Sequence, residues 1–127
     1  MVAAVRKITA PKILSDLVLW EEELAYSREA SGTVKATTVS DLGTPLALDA
    51  DHKVVPLPDD GSLVCIGFAL TARAATAADT TGGLDYIRRT AILKDFGIVW
   101  PAGISAADKA KALAEVEVRG VVVRASA

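Results

Sequence analysis

A near-continuous apolar run, Leu63-Val64-Cys65-Ile66-Gly67-Phe68-Ala69-Leu70, follows closely on Pro58-Asp59-Asp60-Gly61, and this juncture constrains the fold more than any other stretch. Proline presets φ and glycine accepts the left-handed region, so the tetrapeptide is a strong turn. An apolar run of that length after a turn suits a strand buried on both faces. Such a strand needs partners on either side, and the flanking sequence supplies candidates.

Thr33-Val34-Lys35-Ala36-Thr37-Thr38-Val39 is rich in β-branched residues and ends in the turn signal Ser40-Asp41-Leu42-Gly43. Residues 45–48 and 53–57 predict two short strands around a hairpin loop, Asp49-Ala50-Asp51-His52. Small and polar residues over 74–83 predict a loop. Residues 86–93 predict a strand with Arg88-Arg89 in its middle, and 96–100 a further strand that Pro101 stops. The clearest helix spans 106–118: Ser105 is a good N-cap with Asp108 three residues on, and Ala110, Leu113 and Val116 make a narrow apolar stripe. Gly120 stands where a left-handed residue ends a helix, and Val121-Val122-Val123 returns as a last strand.

Upstream, Leu17-Val18-Leu19-Trp20 leads into Glu21-Glu22-Glu23, and Ser31-Gly32 soon breaks the pattern, which predicts an exposed turn or short helix. Residues 1–15 keep neither a period of 2 nor one of 3.6 and predict an extended arm. The expectation is a mainly β (α+β) fold: a compact β-rich domain over residues 16–127, one short C-terminal helix, and an extended N-terminal arm over residues 1–15.

A chain of 127 residues points to one domain. Its apolar fraction of 51 % and mean hydropathy of +0.35 are high for a soluble monomer, with much of the excess in Ala and Val. An Ala-rich composition explains this, and so does apolar surface covered by neighbouring subunits. Fourteen basic and sixteen acidic residues, net charge -2, are spread without a basic stripe, so direct nucleic-acid binding is not expected. No charge-free apolar stretch reaches the length of a membrane span, and no secretory signal opens the chain. Cys65 is the only cysteine, which excludes an intramolecular disulfide and suits a reducing compartment.

The inventory of chemistry is thin. A single histidine, His52, cannot build a multi-histidine metal site, and neither a metal nor a cofactor is expected. His52 beside Asp49 and Asp51 reads as a solvated turn. Paired with Cys65 it would make a small Cys/His hydrolase, but a thiol inside an apolar strand is usually an inert hydrophobe. Thr80-Thr81-Gly82-Gly83 lacks the spacing and lysine of a phosphate loop. Arg88 and Arg89 suit a partner's carboxylate or a solvated strand edge, and Trp20 and Trp100 suit either an interface anchor or the core. No catalytic residue emerges.

The order of several segments resembles the head decoration proteins of tailed bacteriophages. The matching pieces are Leu14-Ser15-Asp16-Leu17-Val18-Leu19-Trp20-Glu21 running to Tyr26-Ser27-Arg28-Glu29, then Ile66-Gly67-Phe68-Ala69-Leu70 before a small-residue loop. They continue with Val99-Trp100-Pro101-Ala102-Gly103 and the ending Arg119-Gly120-Val121-Val122-Val123-Arg124. Together they cover about residues 14–124, and the stretched Ala-Thr-rich loop over 72–83 departs from the pattern. The resemblance implies a structural, non-enzymatic protein made in the host cytoplasm. It would bind the outer surface of the expanded capsid as a homotrimer, with the major capsid protein of a tailed phage as partner and no membrane or nucleic acid. In family members the N-terminal segment pairs with capsid-protein strands, which assigns capsid contacts to Val5, Ile8, Ile13 and Leu14. Trp20, Tyr26, Arg28, Arg88 and Trp100 are the candidates for trimer or capsid contact. The rivals are another virion component, tail- or connector-associated, and the Cys/His hydrolase.

Overall fold

The computed structural model describes residues 13–125, and in it the chain is β-rich. Among the described residues, in chain order, a 3₁₀ turn at Leu14–Asp16 precedes β1 (Val18–Glu21), the one-turn α1 (Leu24–Ser27), β2 (Arg28–Glu29) and β3 (Thr33–Val34). Then follow β4 (Pro45–Leu48), β5 (Val54–Pro56), β6 (Cys65–Ala69), β7 (Thr80–Thr81), β8 (Tyr86–Ile87) and β9 (Ala91–Lys94). A second 3₁₀ turn at Asp95–Gly97, α2 (Ala106–Glu117) and β10 (Val121–Arg124) complete the domain. The strands form a seven-stranded sheet, β2-β8-β6-β4-β5-β3-β7, and a three-stranded sheet, β1-β9-β10.

The apolar run becomes β6, and it is covered on both sides. Cys65 and Phe68 belong to the main core with Leu17, Ile87, Leu93 and Val116, while Ala69 belongs to a second cluster with Val34, Leu46 and Val54. Gly67 is required because β6 and β8 approach closely: a Cβ there would stand 1.9 Å from the Ile87 carbonyl oxygen. The β4–β5 hairpin forms as its turn residues demand, with the Asp49 carboxylate accepting from the Asp51 and Lys53 amides at 2.9 Å each. In α2, Ser105 caps by accepting from the Asp108 amide at 3.0 Å. The helix buries Ala112 and Val116, so Ala112, not the exposed Ala110, completes the buried stripe. Gly120 leaves it with a φ of 83°.

Several local expectations differ from the structure, each because backbone groups find partners outside a regular ladder. Residues 86–93 are not one strand. The chain leaves the large sheet after Ile87, turns through Thr90 at a φ of 43°, and enters the small sheet at Ala91. Buried Ser27 fixes that corner, its hydroxyl donating to the Thr90 carbonyl at 3.0 Å and its own carbonyl accepting from the Arg88 amide at 2.9 Å. Residues 96–100 are not a strand either. Gly97 closes the 3₁₀ turn against the start of the domain, where a Cβ would meet the Asp16 carbonyl at 2.4 Å, and the Val99 amide donates to Gly43.

The stretch 33–39 contributes only Thr33–Val34 to a sheet, and the loop 74–83 contributes β7, which pairs with it. That loop is anchored from within. Arg73, 9 % exposed, donates to the Thr38 carbonyl and to the Thr76 and Thr80 hydroxyls at 3.0 and 3.3 Å. Of the segment expected as an arm, Leu14 and Ser15 form the first 3₁₀ turn, and residues 1–12 lie outside the described residues.

Candidate interaction surface

The small sheet presents an apolar face. Register places Trp20 and Val122 on either side of Ile92, so the three side chains form a row across β1, β9 and β10. Their neighbours Ala91, Leu93 and Val121 are buried, and strand alternation therefore turns the row away from the core. Trp20 and Val122 are 47 % and 40 % exposed. A bulge between Val18 and Trp20 also frees Leu19, and among the described residues β1 ends the sheet with an open edge. Ile13 and Leu14, immediately before it, are exposed as well. Ile13, Leu14 and Trp20 are thus exposed in and shortly before β1, whereas Val5 and Ile8 lie outside the described residues.

Two ion pairs tie neighbouring strands together. Arg28 clamps Glu21 with both Nε and Nη2, and Arg88 donates to Glu29 at 2.7 Å. The Glu29 carboxyl is lowered to about 2, first by the Ser31 hydroxyl and amide and then by Arg88. The hydrogen bond from Glu21, as acceptor, also holds the Arg28 pKa above its ordinary value. Tyr26 is exposed with the Arg89 guanidinium 5.0 Å from its ring centre, and with Glu22, Glu23 and Thr90 it walls an open depression. Beyond the Arg88–Thr90 corner, Leu48, Ile66, Tyr86, Arg88 and Arg119 line a smaller notch. Trp100 stands apart from both. It is half-buried, edge-on to Phe68 at 6.3 Å with Lys109 over its ring, and so packs against the main core.

Ile92, Val122 and Arg119 escaped the sequence reading as contact residues. Only the β9–β10 register and the return of the chain after α2 bring them beside Trp20 and Arg88, and no local pattern marks them. The Cys65 thiol donates to the Gly67 carbonyl, and burial pushes its pKa up to about 11, which withholds the thiolate a nucleophile needs. His52 lies in the exposed β4–β5 turn. No group of His, Cys, Asp and Glu among the described residues is arranged to hold a metal. No helix among them is long and apolar enough to cross a membrane.

An exposed apolar row on a strand that ends its sheet among the described residues suits a protein that works by surface contact with other proteins. The chain belongs to the bacteriophage lambda head decoration protein D family, whose sequence profile matches residues 7–121 of its 127. It is accordingly a structural protein of the phage head with a capsid-decorating role, in a family that is not an enzyme class. No curated relative matches the chain.

Proposed function

We propose that the protein binds the outside of the expanded capsid as a homotrimer, with the major capsid protein as partner, and stabilises the shell against the pressure of packaged DNA. The observation that carries this reading is the edge of β1, open among the described residues, with Leu19 and Trp20 exposed on it and Ile13 and Leu14 leading into it. Chain arriving at such an edge is well placed to join strands of another protein by β-augmentation. On this reading residues 1–15, Val5 and Ile8 included, pair with capsid-protein strands, and Trp20, Tyr26 and Arg88 lie in trimer or capsid contacts. Arg28 and Trp100 support those contacts through Glu21 and the core.

A trimer offers three copies of one weak contact to a three-fold site, and linkage raises avidity by roughly 100-fold to 10,000-fold over a single contact. A ligand specific for the assembled shell then stabilises that shell by mass action. Mixing the full chain, and a chain lacking residues 1–14, with expanded and unexpanded shells tests the reading by co-sedimentation. Full-length protein should load expanded shells and raise their melting temperature, and the truncated protein should stay folded but load poorly. Equal loading by both chains would remove the role of the arm, and no loading of any shell would end the proposal.

A further inference from the structure

A three-fold ring joins two different patches of each subunit, because its contacts are heterologous. The Arg88–Thr90 corner carries two patches of opposite charge, one on each side. The first is the depression walled by Glu22, Glu23, Tyr26 and Thr90. Glu22 and Glu23 are exposed and neither carboxylate has a basic partner among the described residues. Tyr26 stands 48 % exposed beside them with the Arg89 guanidinium 5.0 Å from its ring centre, so the two carboxylates leave the patch net acidic. The second is a notch of about 160 Å³ lined by Leu48, Ile66, Tyr86, Arg88 and Arg119. Arg88 already pairs with Glu29 at 2.7 Å, so the unpaired positive charge of the notch is that of Arg119. Arg119 donates to the carbonyls of Arg88 and Cys65 at 3.0 and 3.1 Å and pairs with no carboxylate among the described residues.

Resting on the trimer reading above, we propose that Glu22 and Glu23 of one subunit seat against Arg119 and Arg88 of the next, with the Tyr26 ring between them against Leu48 and Ile66. Charge complementarity selects a second copy of this chain as occupant, since one surface supplies both halves of the contact. The three-fold arrangement comes from the trimer reading, and the two complementary patches supply the heterologous contact that it needs. The patches adjoin, the Thr90 amide donating to the Arg119 carbonyl at 3.1 Å. Patches adjacent on one subunit and related by a three-fold rotation meet close to the axis, which leaves the outer flanks of the ring free for the shell.

The test is the solution mass of the full chain by sedimentation equilibrium. Glu22→Lys combined with Glu23→Lys should weaken trimer association about tenfold or more at low salt, with a smaller loss at high salt. Circular dichroism should be unchanged, because both side chains are exposed. Adding Arg119→Glu to that chain should recover part of the association. Arg119 also holds two carbonyls, so a second measurement uses the unmodified protein: phenylglyoxal labelling of Arg119 should be slow in the trimer and fast once dilution dissociates it. A trimer indifferent to the Glu22 and Glu23 reversal, with Arg119 labelled at one rate at all concentrations, overturns this contact and leaves the trimer standing. If the free chain is monomeric, the same variants are compared on expanded shells, where the Glu22 and Glu23 reversal should lower the yield of cross-linked trimer. An unchanged yield overturns this contact, and protein that is monomeric on shells as well ends the trimer reading and the contact together.

Discussion

Arg28 grips Glu21 with two hydrogen bonds, from Nε at 2.9 Å and from Nη2 at 2.6 Å. Glu21 closes β1 in the small sheet and Arg28 opens β2 in the large one, so the pair ties the two sheets together around α1. The side chains are 15 % and 25 % exposed, and partial burial makes a bidentate, charge-assisted pair stronger than an ordinary surface bridge. Glu21→Gln should therefore cost about 1–2 kcal/mol of unfolding free energy, measured by urea denaturation. A midpoint unchanged from the parent would mean that the sheets hold together without this clamp.

Gly67→Ala probes the crossing of β6 and β8. The new methyl group would collide with the Ile87 carbonyl at 1.9 Å, and backbone yields less readily than a side chain tip. A loss of about 3 kcal/mol is expected, seen as a lower melting temperature. Gly83→Ala is the control for local context, since an added Cβ there would meet no atom within 4 Å beyond its chain neighbours, and its cost should come only from its φ of 81°.

Arg73→Ala should release the loop over residues 74–81. Its buried guanidinium bonds to one carbonyl and two hydroxyls and has no carboxylate partner among the described residues, so truncation strands the Thr38 carbonyl in the interior. A stability loss of about 2 kcal/mol is expected, together with faster amide exchange at Thr76 and Thr80. Exchange that accelerates uniformly over the whole domain would contradict a local anchor.

Glu29 makes stability depend on acid. Its folded pKa, about 2, lies below the ordinary 4.5, so the unfolded chain binds the proton more readily. The stabilisation is complete above the unfolded pKa and is lost as pH falls through the folded one. Between about pH 5 and pH 2, Glu29→Gln should flatten the fall in unfolding free energy by about 1 kcal/mol, after allowance for solvent screening at a side chain 22 % exposed. Parallel curves for parent and variant over that range would place the acid sensitivity elsewhere.

The doubly buried strand β6, the β4–β5 hairpin and the capped helix α2 were legible because their signals are local. An apolar run, an Asp-rich turn and a Ser N-cap act over a few neighbouring residues whatever the rest of the chain does. The ordered motifs from residue 14 to 124 likewise pointed to the family that the profile match then showed. Residues 86–93 misled because β-branched and apolar residues favour a strand without saying which sheet it joins. Ser27, distant in sequence, holds Thr90 in a left-handed turn and divides the segment between two sheets.

By itself, then, the order of residues determined the β-rich class, the position of the long helix and the family. Only the tertiary structure decided which side chains share a surface. Trp20, Ile92 and Val122 come from strands far apart along the chain and meet through register alone, as do Arg88 and Arg119 through the return of the backbone after α2. Propensity is a property of short stretches, whereas a contact surface is made by pairings across the whole fold, and those follow from which arrangement buries the core.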